Sequence, residues 1–260
     1  MSTLHLSIPQ AIIPGILGGM SPLAHVEFER RLIQQNLERG VTCDQDHPVW
    51  ILINAANIPD RTRSLMGETE DCTPWLLHYG RLLERAGADF LIVTCNTCHA
   101  FYDRVQPQLQ IPWMHSIDQT VQSILQTSSA RRIGILATDG TLKTELYSRS
   151  LRQVGLTPIA PPLGSIPQAQ VMQAIYHPDW GIKNTGVQVS EQAQANLQQT
   201  LAWLQQQGAE VVIAGCTELS VAFSRMNNLC LPWLDPLEVM ATLTLDLVSG
   251  QRSLQSVWAA

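Results

Sequence analysis

The chain carries one residue pattern twice, and this repetition restricts its fold more than any other feature. The segment Gly87-Ala-Asp-Phe-Leu-Ile-Val-Thr-Cys95 matches Gly208-Ala-Glu-Val-Val-Ile-Ala-Gly-Cys216. In both copies a glycine precedes a short apolar run that ends at a cysteine, and the two cysteines are 121 residues apart. A turn followed by an apolar strand is common, but it does not explain why both copies carry a polar thiol at the equivalent position.

Two further pairs of segments recur at nearly the same offset. Gly15-Ile-Leu17 returns as Gly134-Ile-Leu136 after 119 residues, and Pro112-Trp113 returns as Pro232-Trp233 after 120 residues. We therefore predict two copies of one unit, which cover roughly residues 12–115 and 131–235 and are related by a pseudo-twofold axis.

Short Ile/Val/Leu runs alternate with longer amphipathic stretches along the chain. This alternation is typical of βαβ units, in which helices cover a parallel sheet. The predicted strands are 13–17, 49–54, 90–94, 132–136, 156–160 and 211–215, and the predicted helices are 22–39, 74–86, 119–126, 141–154 and 191–207.

The predicted fold class is therefore α/β, with two similar Rossmann-like parallel-sheet domains and the active site between them. We expect the N-terminal α/β domain to comprise residues 1–116 plus 233–260, with a C-terminal helix. The second α/β domain is expected to comprise residues 117–232.

Composition limits the classes of partner. The 260 residues are 45% hydrophobic and 15% charged, which is enough for a substantial core. The net charge of −6, without Lys/Arg runs, argues against nucleic acid or an anionic membrane as a partner.

No signal peptide or membrane-spanning run is recognisable, so we expect a cytoplasmic protein. The six cysteines are then expected to be reduced thiols.

Cys95 and Cys216 are the candidate reactive groups. Ligands of open α/β sheets lie beyond the carboxyl ends of the strands, so two units packed face to face would bring both thiols to one cleft. Asn96-Thr97 and Thr217-Glu218 follow them and are typical of a helix start, where the pKa of a thiol is lowered. A thiol and a thiolate can remove a proton from one face of a carbon and deliver one to the other.

Cys95 and Cys98 also form a C-x-x-C motif, which leaves two other interpretations open. Such a pair occurs in thioredoxin-like redox sites and as half of many zinc sites. Neither a second C-x-x-C nor a His-x-x-x-His motif accompanies His99. We therefore expect no metal and place Cys98 in the core of a helix.

Several short motifs follow one another in an order known from one enzyme family. They are Gly18-Gly-Met-Ser-Pro22, Asn57-Ile-Pro-Asp-Arg61, Cys95-Asn-Thr-Cys-His99, Gly140-Thr-Leu-Lys-Thr144, Ile175-Tyr176 with Gly181-Ile-Lys183, and Gly215-Cys-Thr-Glu218. On these motifs, over residues 13–238, the sequence resembles the aspartate/glutamate racemases that work without pyridoxal phosphate.

The resemblance implies a two-domain α/β enzyme, usually a homodimer, that racemises a dicarboxylic amino acid without a cofactor. Cys95 and Cys216 would act as the opposed acid and base. The substrate-binding residues that it implies are Met20, Ser21, Arg61, Asn96, Thr97, Lys183 and Thr217.

The residue types agree with a dicarboxylate substrate. An arginine offers a planar fork to a carboxylate, and a lysine offers a compact charge. Arg63 competes with Arg61 for this role, but Arg61 fits the motif. We add Thr141 as a possible donor to a carboxylate and interpret Lys143 as structural.

Other functions remain possible at this point. A pyridoxal phosphate enzyme needs a Schiff-base lysine and a phosphate loop, and neither lysine of the chain has that context. A hydantoin racemase, a maleate isomerase, an arylmalonate decarboxylase or a non-catalytic two-lobed binding protein could share the fold. One methylene in a pocket is worth only ~1–3 kcal/mol, so no motif separates aspartate from glutamate. We favour aspartate because the motifs look more like the aspartate branch.

Overall fold

The computed structural model describes residues 11–258 and contains two parallel β-sheets. The first consists of β1 (Pro14–Gly18), β2 (Ile51–Asn54) and β3 (Phe90–Val93), in the order β2-β1-β3. The second consists of β4 (Arg132–Leu136), β5 (Thr157–Ile159), β6 (Val211–Ala214) and β7 (Trp233–Leu234), in the order β5-β4-β6-β7. All strand pairs in both sheets are parallel, which confirms the predicted α/β class.

The two sheets repeat one topology. β1 and β4 are the matched central strands, with β2 or β5 on one side and β3 or β6 on the other. The match extends to the edge, where Leu91 forms an isolated parallel bridge with Trp113 and Val212 pairs with Trp233 of β7. The repeated Pro-Trp segments therefore occupy equivalent places, as expected for a duplicated unit.

Helices cover both sheets. Those of the first half are α1 (Pro22–Glu38), α2 (Arg61–Met66), α3 (Thr73–Arg85), α4 (Tyr102–Val105) and α5 (Ser116–Thr127). They are followed by α6 (Asp139–Lys143), α7 (Leu146–Gln153), α8 (Ile166–Tyr176), α9 (Ile182–Thr185), α10 (Glu191–Gln206), α11 (Thr217–Phe223), α12 (Pro236–Val248) and α13 (Gln255–Trp258). Within residues 11–258, no helix has the length and apolar character needed to cross a membrane.

One predicted helix is divided in two in the structure, and the helix expected over residues 119–126 extends over Ser116–Thr127. The expected helix over residues 141–154 is divided into α6 and α7, because Glu145 has a φ of 53°. A left-handed residue cannot continue a right-handed helix, so the chain turns there before α7 begins.

The chain returns to the first sheet after β7. Leu237, Met240 and Ala241 of α12 are buried in the same core as Ile16 of β1 and Phe28 of α1. The domain division at residues 116 and 233 stays our proposal. It agrees with the start of α5 at residue 116 and with the packing of α12 on α1.

Candidate active site

The two cysteines of the repeated segments occupy matched positions. Cys95 follows β3 and precedes a 3-10 helix (Asn96–Phe101), while Cys216 follows β6 and precedes α11. Both backbones are extended, with φ −150° and ψ 113° at Cys95 and φ −140° and ψ 139° at Cys216. The helix starts expected directly after both cysteines are present, and each cysteine is itself the N-cap residue.

Both thiols line one small cavity between the two halves of the molecule, with a volume of only about 10 Å³. Cys95 is 7% exposed and Cys216 is 8% exposed, so both reach this cavity without being open to bulk solvent. The residues that line it are Met20, Arg61, Cys95, Asn96, Thr97, Thr138, Tyr176, Lys183, Cys216, Thr217 and Glu218. A larger groove beside α1, α5 and α12 shares no lining residue with it and holds neither thiol.

Eight of the ten predicted site residues line this cavity, and Ser21 and Thr141 do not. Ser21 is the N-cap residue of α1, where its side chain makes no capping hydrogen bond. Thr141 lies one layer behind the cavity wall. Its hydroxyl is 2.9 Å from that of Thr97 and 3.3 Å from that of Thr138, so it can orient these two lining hydroxyls.

Arg61 is a buried cation held by backbone oxygens. Its guanidinium donates to the carbonyl of Pro59 at 3.0 Å and to that of Met20 at 2.9 Å. Its Nε is buried without a hydrogen-bond partner, and no carboxylate within residues 11–258 forms an ion pair with Arg61. Arg63, the alternative considered above, is 62% exposed and pairs with Glu68. Arg61 is thus positioned to bind an anion in the cavity.

Neighbouring groups keep Arg61 charged. Burial acts to lower the pKa of its guanidinium, but the nearby Cys95, Cys98 and Asp60 outweigh this and raise the pKa above its ordinary value. A charged guanidinium in a buried pocket has a strong preference for a carboxylate partner.

Lys183 and Glu218 form an ion pair beside Cys216, in which Glu218 is buried and the Lys183 side chain is 25% exposed. The Lys183 ammonium donates to one oxygen of Glu218, and the Cys216 thiol donates to the other oxygen at 2.8 Å. Burial acts to raise the pKa of Glu218, but the charge of Lys183 and the hydrogen bonds from Cys216 and Lys183 lower it. Glu218 is therefore a carboxylate that contacts one of the two thiols.

The two thiols have opposite tendencies to ionise. The neighbouring Cys98 thiol and the charge of Arg61 outweigh the effect of burial and lower the pKa of Cys95 to about 6. Burial and the charge of Glu218 raise the pKa of Cys216 well above its ordinary value. The cavity therefore presents a thiolate at Cys95 and a protonated thiol at Cys216 near neutral pH.

Cys98 was expected in a helix core and is indeed fully buried, behind the residues that line the cavity. Its thiol donates to the sulfur of Met20, which does line the cavity, at 3.2 Å. In the described part of the chain, no group of three or more His, Cys, Asp or Glu side chains is arranged to hold a metal ion.

A buried histidine fixes the loop that carries Cys95. His99 Nδ1 lies 3.1 Å from the carbonyl oxygens of both Cys95 and Asn96, and His99 Nε2 lies 3.1 Å from the backbone N–H of Ser116. Because carbonyls only accept and an N–H only donates, the proton is on Nδ1. Burial lowers the pKa of His99 to about 3, so it is neutral and acts as a fixed bridge between the loop and α5.

The second half of the molecule contacts this loop and also the start of α2. The Tyr147 hydroxyl donates to Asn96 Oδ1 at 2.6 Å, and the Tyr176 hydroxyl donates to Asp60 Oδ2 at 3.3 Å. Of the lining residues, Thr138, Tyr176 and Glu218 were not assigned to the site from sequence. Tyr176 and Glu218 stand in two of the motifs described above, and that was the only signal for them.

Comparisons with known proteins agree with this geometry. A family model described as Asp/Glu/Hydantoin racemase matches residues 17–244. The broad specificity amino-acid racemase RacX of Bacillus subtilis (strain 168) is 25% identical over 241 residues, which cover 92% of this chain and 99% of that protein. The Picrophilus torridus aspartate racemase structure superposes with a TM-score of 0.77 at 25% identity, covering 91% of this chain and 94% of that one. The glutamate racemase isoform RacE1 from Bacillus anthracis shares the fold, with a TM-score of 0.67 at 16% identity over 93% of this chain and 83% of that one.

Proposed function

The chain belongs to the Asp/Glu/Hydantoin racemase family, and from this premise we propose that it interconverts the L and D forms of aspartate or glutamate without a cofactor. The observation that carries the proposal is the pair of thiols, Cys95 and Cys216, at matched strand ends on one cavity. The similarity to a broad specificity amino-acid racemase supports the class of reaction.

The proposed reaction is a proton transfer across the α-carbon. The Cys95 thiolate removes the α-proton, so that the C–H bond breaks and an S–H bond forms. The Cys216 thiol then delivers its proton to the opposite face of the planar carbanion. The product has the inverted configuration, Cys95 holds the new proton and Cys216 is left as a thiolate, which is the state that accepts the other enantiomer.

The cavity offers partners for the substrate's charges. Arg61, with a free Nε, is suited to one carboxylate. The side chains of Asn96, Thr97 and Thr217 line the same space and can hydrogen-bond to the negative charge that develops on the α-carboxylate side. Lys183 remains the candidate partner for a second substrate carboxylate. Its ammonium would then contact both that carboxylate and the carboxylate of Glu218. Of the two substrates we favour aspartate, the smaller one.

Other expectations from the sequence belong to this proposal. They are a homodimer, a location in the cytoplasm, a small dicarboxylic amino acid as the ligand, and no nucleic acid or membrane partner. The acidic net charge of −6 supports the last of these.

The test is proton exchange in D2O. The purified protein is incubated separately with L-aspartate and L-glutamate, with no cofactor added, and Cα deuterium and chiral composition are followed. We expect deuterium to enter together with inversion for at least one of them. Inversion of a hydantoin but of neither amino acid would favour the alternative enzymes of the superfamily, and no exchange with any of them would contradict the proposal.

The two-thiol mechanism has its own test. Cys95→Ala and Cys216→Ala should each reduce racemisation to between roughly a hundredth and a ten-thousandth of the unsubstituted rate, because a general acid or base contributes roughly 10²–10⁴-fold. Cys230→Ala is the control, since Cys230 is an exposed free thiol outside the cavity. Full turnover by either cavity variant would show that the facing-thiol mechanism is wrong even where the activity is right.

A further inference from the structure

The two halves of the site are alike in backbone but differ in one side chain. The duplication aligns Cys95-Asn96-Thr97 with Cys216-Thr217-Glu218, so Thr97 and Glu218 occupy the same step after their cysteines. The Thr97 hydroxyl is neutral and lies between the hydroxyls of Thr138 and Thr141. Glu218 places a carboxylate at the equivalent point, 2.8 Å from the Cys216 sulfur.

This difference gives the two thiols different electrostatic surroundings. Cys95 faces Arg61, the Cys98 thiol and, further away, the Lys183 ammonium. Cys216 faces Glu218, Lys183 and, across the cavity, Cys95. Other titratable groups against the site are Tyr147 of α7 and Tyr176 of α8, whose pKa values are raised by burial, and Asp60 at the start of α2. Glu218 is the one carboxylate among the described lining residues.

The geometry of Glu218 specifies where the proton sits. A carboxylate oxygen only accepts, so a short contact with the Cys216 sulfur requires a protonated thiol. A thiolate at Cys216 would instead place two negative charges in contact in a buried site, at a high electrostatic cost. The Lys183 ion pair with the other oxygen keeps the carboxylate ionised and fixes its orientation.

We propose that Glu218 is a positioning residue that breaks the symmetry of the thiol pair. It holds the resting proton on Cys216, so that the free enzyme presents its thiolate at Cys95. The inference rests on the proposed two-thiol function and adds to it the residue that sets the starting state. A turnover that starts from the Cys95 thiolate leaves a thiolate at Cys216. The contact with Glu218 then favours protonation of Cys216 and deprotonation of Cys95, which restores the starting state.

The test measures thiol ionisation directly, without substrate. Iodoacetamide alkylates the thiolate, so the rate at each cysteine as a function of pH, quantified by peptide mass spectrometry, gives the midpoint of its ionisation. The plateau of each curve reports access to the thiol, and the midpoint reports its proton affinity. A change in packing alone therefore moves the plateau and leaves the midpoint in place.

In the unsubstituted protein we expect Cys95 to ionise at a lower pH than Cys216. Glu218→Gln keeps the size of the side chain and removes its charge, and Glu218→Thr reproduces the residue of the other half. In both variants the Cys216 midpoint should fall by about one pH unit or more, which is a tenfold change in thiolate at a given pH. Glu191→Gln, an exposed position on α10, is the control and should leave both midpoints unchanged.

The outcomes separate this inference from the proposed function. An unchanged Cys216 midpoint in both variants, or a Cys216 that ionises below Cys95 in the unsubstituted protein, would overturn the role of Glu218. Racemisation is assayed on the same samples. An inactive unsubstituted protein would contradict the proposed function, while the alkylation curves would still report whether Glu218 controls the proton on Cys216.

Discussion

At the scale of single residues, the most unusual group in the molecule is the guanidinium of Arg61. It is 8% exposed, yet it is held by backbone carbonyls rather than by a carboxylate of the described chain. Cys95 and Asp60 place negative charge nearby, but no carboxylate of the described chain bonds to the guanidinium, so we propose that a substrate carboxylate takes that place.

Arg61→Lys tests this role, because lysine keeps the charge and loses the planar fork. We expect kcat/KM for aspartate to fall by roughly 10²-fold, since a hydrogen bond to a charged group is worth about 1.5–3 kcal/mol and more than one is lost. Steady-state kinetics with both enantiomers measure this. Arg63→Lys is the control, as Arg63 is exposed and pairs with Glu68. Equal kinetics in the two variants would remove Arg61 from the substrate site.

The pKa of Cys95 predicts the acid side of the pH profile. The proposed reaction needs the Cys95 thiolate, whose pKa is lowered to about 6, so kcat/KM should fall as the pH drops through that value. Cys98→Ala removes the neighbouring thiol that contributes most to this lowering of the pKa, so the acid limb should move to higher pH while the rate at its plateau is largely kept.

Cys72→Ala is the matched control for Cys98→Ala. Cys72 is equally buried, and its thiol donates to the carbonyl of Pro59 rather than to Cys95. Both variants should lose some stability, but only Cys98→Ala should move the acid limb. A limb that stays in place in Cys98→Ala, or that moves equally in both variants, would show that Cys98 only fills space.

At the scale of elements, the strands could be predicted because buried parallel strands appear in the sequence as short runs of apolar residues. The predicted strand 132–136 coincides with β4, and the other five predicted strands differ from the observed ones by one or two residues at one or both ends. The two-residue strand β7 was not predicted. The break between α6 and α7 could not be predicted in this way. Glu145 is an ordinary helix former, and its left-handed conformation follows from how the two helices pack.

The features of the site likewise include some that could be predicted from the sequence and some that could not. The positions of Cys95 and Cys216 could be predicted because the duplication fixes both at strand ends. The contact of Glu218 with Cys216 and Lys183 depends on how α9 and α11 pack, which no spacing in the sequence reports. For the same reason Thr141 was expected on the cavity wall and lies behind it, where its hydroxyl bonds to that of Thr97.

The loop between β1 and α1 carries Met20 to the cavity and turns at Gly19. Its φ is 95°, and a Cβ at this position would lie 2.5 Å from the backbone of Ala55. Gly19→Ala should lower the free energy of unfolding by about 3 kcal/mol or more, since a left-handed residue costs roughly 1–2 kcal/mol before any steric overlap. Urea denaturation measures the change.

Gly67→Ala is the control for this loop. Gly67 also has a positive φ, of 78°, but a Cβ there would meet no atom within 4 Å. Its substitution should cost only about 1 kcal/mol. A similar cost at both positions would mean that the loop can move away from Ala55 and that its conformation is not restricted by contact.

At the scale of the whole molecule, a buried ion network joins the two halves. Glu27 of α1 accepts from Arg31 at 2.9 Å and from Arg225, just beyond α11, at 2.5 Å. Arg31 also pairs at 2.7 Å with Asp235, which accepts from the Ser220 hydroxyl of α11 at 2.7 Å. Because α11 begins directly after Cys216, this network connects the helix behind one thiol to the half that carries the other.

Glu27→Gln tests whether the network holds the halves together. The variant keeps the shape of the side chain but leaves Arg225 without its buried counter-charge, and the free energy of unfolding should fall by about 3 kcal/mol near neutral pH. Burial acts to raise the pKa of Glu27, but the hydrogen bonds and charges of Arg225 and Arg30 outweigh it and lower the pKa. The stabilisation is therefore present above the pKa of an unfolded glutamate, about 4.3, and is lost as the pH falls through the lower folded value.

The difference in stability between the unsubstituted protein and Glu27→Gln should accordingly shrink when urea denaturation is repeated at about pH 3. Glu38→Gln, on the exposed end of the same helix, is the control and should change stability by less than about 0.5 kcal/mol at both pH values.

Racemisation by Glu27→Gln under native conditions adds the functional readout. If the network sets the spacing of the two thiols, kcat falls while the ionisation midpoint of Cys95 stays in place. An unaltered kcat together with the loss of stability would show that the network stabilises the fold without positioning the thiols.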